Sequence, residues 1–127
     1  MVRSKSFGWI LAALLTCSGI GIASAHHSFA AFDTTRQITL TGVVKEFQWT
    51  NPHCWLYLTA TNSEGQPEVW QLEALSPNVL GRLGWKKNSV KAGDKVTVLV
   101  NPTRDGTHGG ALISLTDASG NKIGGRN

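Results

Sequence analysis

The sequence predicts a mainly β domain, a small five-stranded OB-fold-like barrel with one short helix between strands 3 and 4. Three observations predict it. Stretches of alternating apolar and polar residues, rich in β-branched and aromatic types, recur between residues 38 and 115, and Gly, Pro, Asn and Asp separate them. One helix signature interrupts the series after the third stretch. The first stretch is the longest and slips phase near Gly42, as a bent or bulged strand does. A long bent strand, two more strands, a helix and two final strands is the order of a small Greek-key barrel; an open five-stranded sheet or another small barrel is the competing arrangement.

Each element has its own signal. Residues 38–49 form the first strand, which the break Thr50-Asn51-Pro52 ends. From His53 to Thr61, Cys54, Leu56, Leu58 and Ala60 lie on one face, with His53, Trp55, Tyr57, Thr59 and Thr61 on the other. After the polar turn 62–66, Pro67 to Ala74 alternates again. Pairing Thr61 with Pro67 sets Leu56 opposite Leu72 and Leu58 opposite Trp70, with Trp55 opposite Glu73 and Tyr57 opposite Gln71 behind them. A one-residue slip would mix the faces, so the apolar match supports this register. Ser76-Pro77 supplies an N-cap and a proline at the first helical position, and the stripe Val79, Leu80, Leu83 runs to Gly84. Val96, Val98 and Val100 then point inward from the fourth strand, and Ala111, Ile113 and Leu115 from the fifth. Trp49, Trp70 and Trp85 are expected in the core.

With 127 residues, 41% of them hydrophobic and 16% charged, the chain suits one small domain and excludes a multidomain enzyme. Residues 1–25 read as a secretory signal peptide: Arg3 and Lys5, an apolar run from Trp9 to Leu15, then Ala23-Ser24-Ala25 before the cut. From Thr16 the run dilutes below the about 18 apolar residues of a membrane span, and Thr16 is a poor neighbour for lipidation of Cys17. A retained anchor and a lipoprotein are the alternatives. Residues 26–127 are then a single OB-like domain, with 119–127 expected as a frayed tail and a periplasmic or secreted location.

Removing the signal takes two cations and lowers the formal charge from +4 to +2. The remaining Lys and Arg look scattered apart from Lys86-Lys87, so the sequence reading expects no nucleic-acid partner. It also expects no stable membrane insertion after cleavage, and a monomer. Cys17 leaves with the signal, which leaves Cys54 alone, without an internal disulfide and facing the core.

Cleavage after Ala25 would expose His26-His27-Ser28. Its first residue then offers an α-amino group and an imidazole to one metal ion. A second imidazole makes a three-nitrogen set, resembling the histidine brace of copper monooxygenases and some copper-resistance proteins. Such N-rich tetragonal donors favour Cu(II). Besides His26 and His27, the other histidines are His53, after the first break, and His108, in the loop before the fifth strand; both loops are expected near one ligand-binding rim. The candidate copper ligands are therefore His26, His27, His53 and His108, with Asp33 and Glu73 as carboxylates that could orient an imidazole. Phe29 and Phe32 could anchor a returning N-terminal segment. The outer face of the hairpin offers a different site, in which Trp55 and Tyr57 with Gln71 and Glu73 form a polar-aromatic platform for a glycan or peptide. A structural assembly module is a third reading. No hydrolase motif or phosphate-cradling loop is present, so binding of a metal ion or small ligand is expected over turnover.

The residues also carry a resemblance. His26-His27-Ser28-Phe29-Ala30, Trp49-Thr50-Asn51-Pro52-His53, Ser76-Pro77-Asn78, Gly84-Trp85 and Arg104-Asp105-Gly106 look like a family of small exported bacterial proteins known as a domain of unknown function. The resemblance spans essentially the whole chain after the signal. It implies export and one compact domain, with His26, His27 and His53 as signature residues, and implies no activity. His108 lies outside its pattern.

Overall fold

A computed structural model describes residues 30–124. Strands β1 (Ile38–Gln48), β2 (Trp55–Thr61) and β3 (Pro67–Glu73) precede helix α1 (Pro77–Arg82), and β4 (Lys95–Pro102) and β5 (Gly109–Asp117) follow it. They close into a barrel in the order β1-β2-β3-β5-β4. Neighbours are antiparallel except β3 and β5, which run parallel where Gln71–Glu73 meets Gly109–Ala111. Topology and helix position are those of the OB-fold.

The bend in β1 lets one strand serve both sides of the barrel. Ile38 to Val43 pairs with β4, while Gly42 to Gln48 pairs with β2. The extra residue is Lys45, where the register shifts between Val44 and Glu46, three positions beyond the expected slip. Gly42 answers a different need: a Cβ there would collide with the Thr59 carbonyl oxygen, so only glycine lets β1 and β2 approach this closely. The expected hairpin register holds at every pair from Trp55–Glu73 to Thr61–Pro67.

Inward residues of all five strands fill the barrel. Leu56, Leu58, Leu72, Leu115, Val44, Val98, Val100 and Cys54 are essentially inaccessible. Trp85 is buried, and Trp49 and Trp70 pack partly buried against the same cluster. On β5 the inward row differs from expectation. Val100 pairs with Leu112 and Leu99 with Ser114, so Ile113 bulges outward, 44% exposed, and Leu112 packs against the core instead. Helix α1 starts as expected: Ser76 Oγ accepts from the Val79 N–H at 3.4 Å, Pro77 follows, and Leu80 is buried.

The tail is docked further than expected. Asp117 accepts from the Ser119 and Asn121 N–H groups, turning the chain back; Lys122 bridges to Thr116 and the Ile123 N–H donates to Leu115 O at 2.8 Å. Gly124 then lies so close to the Trp85 indole that no Cβ fits. Backbone pairing along β5 and contact with Trp85 replace the fraying predicted from composition, as far as Gly124.

Candidate metal and ligand site

His53 stands at the entrance of β2, after a cis Asn51–Pro52 peptide. The ladder between β2 and β3 continues past their ends, with Cys54 N–H donating to Leu75 O at 3.1 Å and Ala74 N–H to Cys54 O at 2.9 Å. Thr50 Oγ1 also donates to the His53 carbonyl at 3.0 Å. Alternation sends Cys54 into the core and His53 outward, where its Nδ1 lies 2.5 Å from Glu73 Oε1. Glu73 reaches it because it pairs with Trp55 on the same face. The carboxylate side chain is only 12% exposed and the imidazole 33%, so Glu73 fixes the ring by one nitrogen and orients the other, as carboxylates orient metal-bound histidines.

His53 and Glu73 form the polar side of a cleft of about 190 Å³. Phe32, Leu75, Leu112 and Ile113 supply its apolar walls, and Asn101 lies at its edge. Phe32 comes from the N-terminal arm, which runs back along the end of β4. The Asp33 N–H donates to Pro102 O at 2.8 Å, Arg104 N–H to Ala31 O at 2.9 Å, and Arg104 Nε to Ala30 O at 3.2 Å. Phe32 itself bridges to Thr103 and is buried. Asn101 Nδ2 ties the arm again at Arg36 O, 2.6 Å away. These contacts answer the topological question raised by a terminus that enters at the opposite end of β1 from His53. The Phe32 anchor expected from the sequence is present; Phe29, His26 and His27 lie outside the described residues. Phe32 lies six positions beyond His26, an extended reach of about 20 Å.

Asp33 serves its own turn. Its carboxylate accepts from Thr35 Oγ1 at 2.6 Å and Thr35 N–H at 3.1 Å, and those bonds, with Arg104 nearby, hold its pKa below the ordinary aspartate value despite some desolvation. Burial pushes the Cys54 thiol up.

His108 is placed elsewhere. Its ring stacks on Trp70 at 5.2 Å between centroids, and its Nε2 is 3.4 Å from Glu68 Oε2. Glu68 also accepts from Asn62 Nδ2 at 2.8 Å. Glu68 and Glu73 are an odd number of residues apart on β3, hence on opposite faces, and separated by about 17 Å along the strand. The fold thus brings His53 to Glu73 and His108 to Glu68, and does not bring the two histidines together. Among the described residues, no group of three or more His, Cys, Asp and Glu side chains could hold a metal ion. Trp55 and Tyr57 are half-buried on the outer face; Gln71 Nε2 donates to Tyr57 Oη at 3.4 Å, and Glu73 turns toward His53.

The signal that sequence reasoning missed is Arg104. A single arginine in a turn announces nothing, yet its backbone N–H and its Nε hold the arm that carries Phe32 to the cleft.

A closed barrel with a half-open cleft at its side defines a small OB-fold-like domain. The chain belongs to the Family of unknown function (DUF6152), which it matches over residues 13–112, in agreement with the resemblance read from its motifs. No curated protein matches it. Among solved structures it is similar to the mitochondrial single-stranded DNA binding protein Rim1 of S. cerevisiae in two crystal forms. For Form 1 the identity is 11%, covering 72% of this chain and 98% of that one, with a TM-score of 0.49. For Form 2 the identity is 14%, the coverage 72% and 97%, and the TM-score 0.46. These neighbours correct the exclusion of nucleic acid drawn from the charge distribution. Both are described as single-stranded DNA binding proteins, and the exclusion is withdrawn. At such identity the likeness describes the barrel and assigns no partner to this chain.

Proposed function

We propose that the protein is exported, loses residues 1–25, and binds Cu(II) at the terminus this creates. The His26 α-amine and imidazole chelate the ion and His53 supplies the third nitrogen. His27 stands beside this set as a further candidate donor. The observation that carries the reading is the shared cleft: Phe32 is pinned in the same hollow as His53, so a terminus six residues upstream is within reach. Glu73 on Nδ1 leaves Nε2 to face a metal, and two imidazoles with an amine suit Cu(II). The role proposed is holding or delivering copper in the periplasm or outside the cell. His108, committed to Trp70 and Glu68, takes no part in this set.

The test compares the processed protein beginning at His26 with one carrying an extra alanine before it. The extension removes the α-amine of His26 as a donor and touches nothing in the barrel. Weaker Cu(II) binding and an altered copper electron paramagnetic resonance spectrum are expected; equal affinity and an identical spectrum would refute the site. The glycan or peptide platform predicts the converse, with Trp55→Ala abolishing binding and the added alanine without effect.

A further inference from the structure

Folding segregates charges that look scattered along the chain. Arg82 at the end of α1, Lys86, Lys87 and Lys91 in the connection to β4, Lys95 at the start of β4 and Lys122 in the docked tail are all exposed. They meet because the 117–119 turn lies against the 89–96 segment across a shared hollow, Lys122 is bridged to Thr116, and Leu83 and Trp85, between Arg82 and Lys86, share a second hollow with Lys122 and Gly124. Among the described residues, Asp94 and Asp117 lie among them, and the neighbouring pair Lys45 and Glu46, which follows Val44 where it bonds to Gly93 and Asp94, adds no net charge. Asp94 accepts from the Lys91 backbone N–H at 2.8 Å, and Asp117 is occupied by the Ser119 and Asn121 N–H groups. Ion pairs among the described residues involve His53, Arg104 and His108, and none of these six cations. Elsewhere the described chain carries two cations, Arg36 and Arg104, against five carboxylates. The domain is therefore a charge dipole, with a basic end and an acidic remainder.

We propose that this basic end docks the protein peripherally on an anionic phospholipid surface. Five of the six cations are lysines, compact point charges that lack the bidentate fork arginine uses to grip a shaped phosphate. They are spread over a helix end, a connection, a strand start and the tail. Such an array matches a laterally adaptable layer of headgroups better than one specific anion. Each cation near such a surface strengthens binding about fivefold, within a Debye length. The acidic remainder is repelled by the same surface, which sets the orientation. From Lys95 to Pro102, β4 spans about 23 Å, and Phe32 and Asn101 of the His53 cleft lie at its far end. This inference stands apart from the copper reading and needs no metal.

The processed protein is titrated with vesicles of equal parts phosphatidylglycerol and phosphatidylcholine, and with phosphatidylcholine alone, at low and high salt. Binding is expected to the mixed vesicles at low salt and to be lost at high salt. Lys86→Gln with Lys87→Gln should weaken it about 25-fold, two residues at about fivefold each, while Arg36→Gln at the other end changes it less than about twofold. Thermal melting of each variant checks the fold. Equal binding to neutral vesicles, an unaffected double variant, or tighter salt-sensitive binding to a single-stranded oligonucleotide than to the mixed vesicles would overturn the proposal.

Discussion

Phe32→Ala should detach the N-terminal arm from the barrel without altering either histidine of the proposed copper set. Phe32 is 8% exposed, and removing its ring uncovers roughly 100 Å² of apolar contact, about 2 to 3 kcal/mol at about 25 cal/mol per Å². Phe32 borders an open cleft and lies outside the main core cluster, so the space left can fill with water and little cavity penalty is added. The loss falls on the arm. Hydrogen exchange should show faster exchange at the Asp33 and Arg104 amides, which bond to Pro102 and Ala31 across the arm, while core strands keep their protection. If docking of the arm is what holds His26 beside His53, about 2 kcal/mol corresponds to Cu(II) binding about 30-fold weaker, read by competition against a chelator. A variant whose arm amides exchange freely but whose copper affinity is unchanged would refute the idea that the two histidines share an ion.

Glu73→Gln keeps the shape of the His53 partner and removes its charge, and loss of such an orienting carboxylate should weaken Cu(II) binding about 10- to 100-fold with little change in melting temperature; a matching fall in stability would assign Glu73 to the fold alone. Gly42→Ala forces a methyl group against the Thr59 carbonyl and should destabilise the barrel by about 1 to 3 kcal/mol in urea, whereas an unchanged midpoint would mean β1 and β2 separate freely. Asp33, Asp105 and Asp117 have pKa values held below the ordinary aspartate value, chiefly by side-chain bonds from Thr35 and Thr107 and the Asn121 backbone N–H respectively. Their folded-state pKa values are depressed, so their stabilisation is present above the unfolded-state pKa of about 3.9 and is lost as pH falls through the folded-state values. Denaturation at a series of acid pH values should show the urea midpoint dropping below about pH 4, more shallowly in Asp117→Asn; identical profiles would remove Asp117 from the explanation.

What the sequence revealed follows from the range of the interactions involved. The β2–β3 register was legible pair by pair because the turn is short and both faces alternate without interruption. The Ser76-Pro77 helix start was legible for the same local reason. Both bulges fell short of prediction, since the extra residue at Lys45 and the outward turn of Ile113 are set by what pairs across the sheet, from β2 and β4. The site divides in the same way. His53 facing outward, with Glu73 on the same face, could be read from alternation, whereas the grouping of His53 with His108 failed because loops that share a rim in outline end on opposite faces of β3. The path of the arm depends on Arg104 and Asn101, which are about 70 residues away in sequence and carry no local signature. The basic end was hidden because Lys122 joins it only through the turn at Asp117.

His53 and Cys54 are neighbours in the chain, yet strand alternation points the imidazole to the cleft and the thiol to a core where it is wholly inaccessible. A thiol beside Cu(II) would reduce the ion and be oxidised, and an exposed lone thiol in an oxidising compartment would cross-link copies of the protein. Burial raises the Cys54 pKa, which keeps the sulfur protonated and poorly nucleophilic. The pleat of β2 thus acts as chemical insulation one residue thick. A slip of the strand by a single position would do more than expose leucines to water, because it would turn the sulfur toward the proposed copper site.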